Sequence, residues 1–334
     1  MITLKSRRSR QPQRLPWSAE ELLRRRAIAL GMALDNSSHA MYSSALNSYL
    51  SFCEMHNFPI DPTPDTLSFF VVYMSAHIEP RSVGNYLSGI CHELEAFFPN
   101  VRSNRRHMLV TRTLQGCKRL HSKPTTRKLP LPASIFTFID QTMPTPATHD
   151  QLLFVSMIKT GFRGLMRLGE LTAPDNSRLY NPAKFTLRSS VEWLTVGFAL
   201  SLPAGGHKTD KAFEGARIVI AEHPRIQVRA HFQSYLAHRD ASFPFNPYLW
   251  ITSAGTVPTR QWFLRRLHAL VDDRAFAGQS MRAGGATFLA ECGVATHLIQ
   301  ACGRWSSDTF QIYIRKNPVL LQVILDNRRS RVTP

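Results

Sequence analysis

Apolar positions recur along the first third of the chain at the spacing of helix faces. Ser18-Ala-Glu-Glu opens the first pattern, with Ser18 and Glu21 placed as a capping box for a helix over 18–34. A second helix carries Met41, Ala45, Tyr49 and Cys53 four residues apart. Thr63-Pro64-Asp65 supplies a cap followed by proline at the first helical position, with Leu67, Phe70, Val71 and Met74 as the apolar face behind it. Pro80 starts a fourth helix, its stripe formed by Val83, Leu87, Ile90, Leu94 and Phe97, and a fifth covers roughly 104–121. These five predict a small helical bundle over 17–121.

Ser122–Pro132, SKPTTRKLPLP, carries three prolines and three cations without apolar periodicity and reads as an extended linker. Helices are predicted at 133–142 and 149–160, the second buried through Leu152, Leu153, Phe154, Val155, Met157 and Ile158. The next stretch, TGFRGLMRLGELT, places Arg167 and Glu170 three apart on one helical face. The period then shifts towards two. Phe185-Thr-Leu, Val191 to Phe198 with Leu200 and Leu202, and Arg217-Ile-Val-Ile read as three strands. The last two flank PAGGHKTDKAFEG, which puts Lys208 at an exposed hairpin tip. Helices resume at 225–238 and near 258–273, with the loop Ser242–Pro247 between them. Gln279 to Lys316 reads as three short helices broken at Gly293 and Gly303, followed by an apolar helix over 317–327 and a basic tail, 328–334. The pattern predicts a mainly α protein with a small antiparallel β-sheet, its second domain covering 133–327.

Charge changes this picture more than composition does. The 334 residues are 43% apolar, as two ordinary cores require, but the net charge is +18. Such an excess points to a polyanionic partner, nucleic acid before a membrane surface. The cations cluster. Residues 1–16 hold Lys5, Arg7, Arg8, Arg10 and Arg14 without an acid, either a phosphate-contacting or import arm or a disordered solubilising tail. Arg105, Arg106, Arg112, Lys118 and Arg119 crowd the fifth helix, where Arg105, Arg112 and Arg119 recur every seven residues and share a face. With Arg127 and Lys128 of the linker they form the expected DNA-binding surface. The five cysteines make no CxxC pair and lie within helical patterns, so buried reduced thiols are expected and a metal site is not. No apolar run is long enough to span a bilayer, and the first 14 residues do not read as a signal peptide, so the protein is expected to act inside a cell.

Tyr313 shares its segment with Arg282 and Arg304, which suggests a phenol brought up to a phosphate. The order Arg167-x-x-Glu170, then Lys208 on a hairpin, then Gln279-x-x-Arg282, then Arg304 or Trp305, then Tyr313 resembles the tyrosine recombinases. By motif order the resemblance covers most of 130–325. The stretch GRWSSDTFQIYIRKNP and the KTD hairpin look most like recombinases of eukaryotic mobile elements of the Crypton and DIRS kinds. The resemblance implies a helical core-binding domain and a catalytic domain forming a C-shaped clamp on double-stranded DNA. It also implies Arg167 and Arg282 as guanidinium clamps on the phosphate, Glu170 orienting Arg167, Lys208 as proton donor to the leaving 5′ oxygen, and Tyr313 as nucleophile. The phosphotyrosine keeps the energy of the broken ester for rejoining, so no ATP, metal or other cofactor is expected. A homotetramer on DNA, with helix 317–327 docking on a neighbour or on its own domain, and nuclear localisation are the further expectations.

Two positions depart from the family pattern. Gln279 stands where a histidine is usual and can hydrogen-bond a phosphate oxygen but cannot relay a proton. The His or Trp expected nine residues before the tyrosine is Arg304 by count and Trp305 by chemistry. Each residue alone has a plainer reading: Arg-x-x-Glu as a helix surface pair, KTD as a turn, Tyr313 as a packing residue. The competing functions are a DNA-binding protein with a decayed site, and a relaxing topoisomerase or telomere-resolving enzyme with the same chemistry.

Overall fold

The computed structural model describes residues 15–124, 128–205, 214–271 and 274–305. Two compact units divide the chain, Met1–Thr125 and Thr126–Pro334.

The first unit contains α1 (Ala19–Gly31), α2 (Asn36–His56), α3 (Pro64–His77), α4 (Pro80–Leu94), α5 (Val101–Arg106) and α6 (Met108–His121). Its starts follow capping chemistry. Thr63 Oγ1 accepts from Thr66 N ahead of Pro64, and Asp35 accepts from Ser37 N. Asn57, left-handed at φ 56°, ends α2. Ser18 caps α1, but the capping box does not close, because the Glu21 carboxylate is taken by Arg24 and Arg25 at 2.8 and 2.6 Å. Tyr49, Phe52, Phe70, Val71, Val83, Leu87 and Ile90 form the core. Gly89 lets α4 lie against α2, since a Cβ there would meet that of Ala45 at 2.8 Å. Two apolar assignments fail. Met41 is half exposed, and Phe97 lies past the end of α4 in solvent. The expected fifth helix is two, because His107 turns extended and its Nδ1 accepts from Leu109 N to cap α6.

The second unit holds α7 (Ser134–Thr142), α8 (His149–Arg163), strands β1 (Glu192–Leu194), β2 (Gly197–Leu202) and β3 (Ala216–Ile220), then α9 (Arg229–Ser242), α10 (Arg260–Val271), α11 (Ser280–Glu291) and α12 (Thr296–Gly303). Thr148 and Gln151 close a capping box on α8, whose residues Leu152–Phe162 are buried without interruption. The sheet is antiparallel in the order β1-β2-β3, with Trp193 opposite Phe198 and Leu200 opposite Ile218. The single strand expected over 191–202 is instead a tight hairpin. Gly197 sits at φ 109°, where a Cβ would meet Ile220 O at 2.0 Å. Phe185-Thr-Leu forms no strand but only an isolated bridge from Leu187 to Tyr248.

The end of the linker belongs to this unit rather than standing free. Leu129 N donates to Ala275 O and Leu131 N to Ser280 O, both at 2.9 Å, and Leu131 is buried. A Cβ at Gly284 would lie 2.1 Å from Leu131 O, so the bare face of α11 is what admits this strap. Cys53, Cys91 and Cys117 are buried as expected, whereas Cys292 and Cys302 are exposed because they fall at the ends of α11 and α12.

Candidate active site

Arg167 and Glu170 do not share a face of an α-helix. Helix α8 ends at Gly164, Leu165 takes a left-handed conformation at φ 48°, and Met166 N returns to Gly161 O. Arg167 is then extended at the start of a 3₁₀ turn, Leu168–Glu170. This geometry turns Glu170 back on Arg167: its Oε2 accepts Arg167 N and its Oε1 accepts Arg167 Nη1, each at 2.9 Å.

Helix α12 brings in a second cation. Arg304 caps the helix in the left-handed region at φ 55°, and its Nη2 lies 2.7 Å from Glu170 Oε2. Glu170 is therefore a buried carboxylate bridging two guanidiniums. Burial pulls the Arg304 guanidinium below its ordinary value, more than Glu170 restores it, and Arg167 adds repulsion. Arg304 Nε is buried with no hydrogen-bond partner among the described residues.

Arg282 enters from the first turn of α11 and is 4% exposed. Its Nη1 donates to Leu165 O at 2.6 Å, its Nη2 donates to Gly303 O, and its guanidinium carbon lies 4.2 Å from the centre of the Trp305 ring. Small residues make this approach possible. Gly285 lies against the carbonyl of Phe162, and Gly303 lies against the Trp305 ring, so a Cβ at either would overlap its neighbour. Leu165, Ala286, Ala290, Ile299 and Trp305 pack as a separate apolar cluster beneath.

The structure thus brings together Arg167, Glu170, Arg282, Arg304 and Trp305. Gln279 is exposed at the N-cap of α11, three residues before Arg282, and makes no side-chain capping bond. Lys208, Tyr313 and the helix expected at 317–327 lie outside the described residues, as do the basic arm to residue 14, Arg127 and the tail. Two guanidiniums share the Glu170 carboxylate, and a third, that of Arg282, is held by the carbonyls of Leu165 and Gly303, which leaves a local excess of positive charge. An anion is the natural complement to such a site. Leu165 was missed by sequence reasoning: nothing local marks a leucine that will turn left-handed to aim its carbonyl at an arginine.

The basic surface of the first unit is altered by the break at His107. Arg106, Arg112, Lys118 and Arg119 are exposed. Arg105 is on α5, half-buried, and donates to Gly84 O at 3.1 Å, so it does not continue a seven-residue stripe. Lys128 is exposed but gives its Nζ to Arg274 O.

No protein-family model matches the chain, and no curated protein matches it. Solved structures do. The Tn1549 transposon integrase in complex with circular intermediate DNA matches with a TM-score of 0.53 at 14% identity, over 89% of this chain and 99% of that one. The lambda integrase dimer bound to a COC' core site matches with a TM-score of 0.53 at 13% identity, over 88% of this chain and 76% of that one. The XerH site-specific recombinase bound to a palindromic difH substrate gives 0.52 at 12% identity, over 83% and 75%. The chain has the tyrosine recombinase fold.

Proposed function

We propose that this protein is a DNA strand transferase that cuts and rejoins duplex DNA through Tyr313. The observation that carries the reading is the bridging of Arg167 and Arg304 by Glu170, with Arg282 held by the carbonyls of Leu165 and Gly303, on a fold shared with the Tn1549 and lambda integrases, both solved on DNA. In the proposed reaction the Tyr313 phenol attacks phosphorus and releases its proton to water, the bond to the 5′ oxygen breaks, and Lys208 protonates that oxygen and regains a proton from water. The 3′ phosphate stays on Tyr313. Extra negative charge on the nonbridging oxygens of the transition state is met by the guanidiniums, which remain charged throughout. Rejoining reverses the same step and needs no high-energy cofactor.

Integration or excision of a mobile element of the Crypton or DIRS kind is the biological role in this reading, with the protein acting in the nucleus. The similarity to a transposon integrase supports the mobile-element part. A tetramer on DNA, linked through helix 317–327, completes the reading. Gln279, exposed and unable to relay a proton, favours one alternative: a DNA-binding protein that no longer cleaves.

A nicked duplex whose cleaved fragment diffuses away separates the two. The transferase accumulates a covalent protein–DNA adduct, and Tyr313→Phe abolishes the adduct while DNA binding persists. Binding without any adduct supports the non-catalytic reading, and an adduct that survives in Tyr313→Phe removes Tyr313 as the nucleophile.

A further inference from the structure

Arg304 and Trp305 are adjacent in sequence but serve different groups. The Trp305 ring is buried, lies against Gly303, and carries the Arg282 guanidinium over its face at 4.2 Å. The edges of that guanidinium are held by the carbonyls of Leu165 and Gly303. A planar cation fixed at one face and two edges keeps little rotational freedom, so whatever else it donates to is chosen in advance. The indole N–H, by contrast, lies in the ring plane and not on the face that Arg282 occupies.

Arg304 has the opposite character. Among the described residues only one of its edges is well anchored, by the Glu170 carboxylate that also holds Arg167, and its Nε is buried without a partner. The contact from Nη1 to Cys302 O is long, at 3.4 Å. A desolvated N–H donor near the Arg167 guanidinium is an unfilled place for an acceptor oxygen.

We infer that Trp305 is a positioning residue, acting through Arg282, and that Arg304 supplies the third guanidinium to the bound anion. This rests on the reading of the cluster as a phosphodiester site. The assignment divides two neighbouring residues by what each can reach: the ring aligns a donor, and the guanidinium is one.

Two measurements test it. In adduct trapping on a nicked duplex, Trp305→Ala should lose about 10²-fold, the scale of a misplaced catalytic group. Trp305→Phe, which keeps a ring face and has no N–H, should recover most of that loss. Arg304→Gln should lose about 10²-fold or more, as removal of a transition-state donor does. In nitrogen–proton spectra of the full chain titrated with inorganic phosphate, the Arg304 Nε–H signal should move. The Trp305 indole signal, assigned by its disappearance in Trp305→Phe, should stay. The inference is overturned if Trp305→Phe is as defective as Trp305→Ala, or if the indole signal moves and Arg304 does not. A moving Arg304 signal in a protein that traps no adduct would keep this assignment and remove the strand-transfer reading. If neither signal moves, the assignment itself fails, whatever the trapping assay gives.

Discussion

Glu170 and Arg304 are joined at 2.7 Å, Oε2 to Nη2, across 134 residues of sequence. The same carboxylate holds Arg167, so one acid fixes the separation of two guanidiniums. Removing it leaves two partly buried cations facing each other. Glu170→Gln is expected to cost about 3 kcal/mol, the scale for breaking a buried pair. A urea melt reads this as a lower midpoint. Under the proposed function, DNA cleavage should fall further than DNA binding, since binding is spread over many cations. An unchanged midpoint would show that solvent already screens the bridge.

The strap from Leu129 to Leu131 makes a second prediction. Alanine at Gly284 would bring a Cβ to 2.1 Å from Leu131 O and 2.9 Å from Leu131 N, and both are backbone atoms that cannot swing aside. Gly284→Ala should destabilise by about 1–3 kcal/mol, as overpacking does. A Cβ at Gly116, in α6, would meet no atom of the described residues within 4 Å. There the same change should stabilise by about 0.5–1 kcal/mol, because alanine loses less backbone entropy in a helix. Opposite shifts of the two melting midpoints are the expected result, and shifts of one sign would contradict the close approach at Gly284.

Helix α3, which opens on a cap and a proline, and α4, which opens on a proline alone, were legible because their signals are local. The break at His107 was not, since periodicity continues through a residue whose own side chain then caps the next helix. The hairpin at Gly197 was hidden for a similar reason: apolar residues run on both sides of the turn, and only a positive φ marks it. In the site, Arg167, Arg282 and Arg304 stood out by residue type and order. Their bridging by Glu170 and the seating of Arg282 on Trp305 did not, because both contacts join segments whose neighbourhood only the fold creates.

Lys159 is buried completely, and its Nζ donates to Asp140 Oδ1 at 2.5 Å, to Gln227 O, and to His231 Nδ1 at 3.3 Å. Around His231 stand Asp140 from α7, Lys159 from α8 and Glu222 from the segment before α9. Burial first, and the Lys159 ammonium second, hold the His231 imidazole below its ordinary range. The folded unit therefore prefers neutral His231, while the unfolded chain takes up a proton near the usual imidazole value of about 6.5. Stability from this source is complete above that pH and is lost as pH falls below it. Urea midpoints should decline between about pH 7 and pH 5. His231→Gln should flatten the decline. His223, lowered by its own burial and by Arg163 and Arg225, keeps a residual slope of the same sign. An unaltered slope in His231→Gln would place the pH dependence elsewhere.

Salt dependence separates cations that reach DNA from cations that hold the bundle together. Under the proposed function, each phosphate neutralised contributes a slope of about −0.9 in a plot of log affinity against log salt. Arg106, Arg112, Lys118 and Arg119 are exposed and available for such contacts, whereas Arg105 is half-buried against the carbonyl of Gly84. Replacing Arg112 or Arg119 with alanine should weaken binding on all sequences and reduce the slope by about one phosphate's worth, with the melting midpoint unchanged. Arg105→Ala should do the reverse, lowering the midpoint and leaving the slope alone, because its hydrogen bond ties α5 to α4. Equal slope changes for Arg105→Ala and Arg112→Ala would mean that Arg105 leaves Gly84 to reach the backbone of DNA. A wild-type protein whose affinity ignored salt would remove the basic surface as its means of holding DNA.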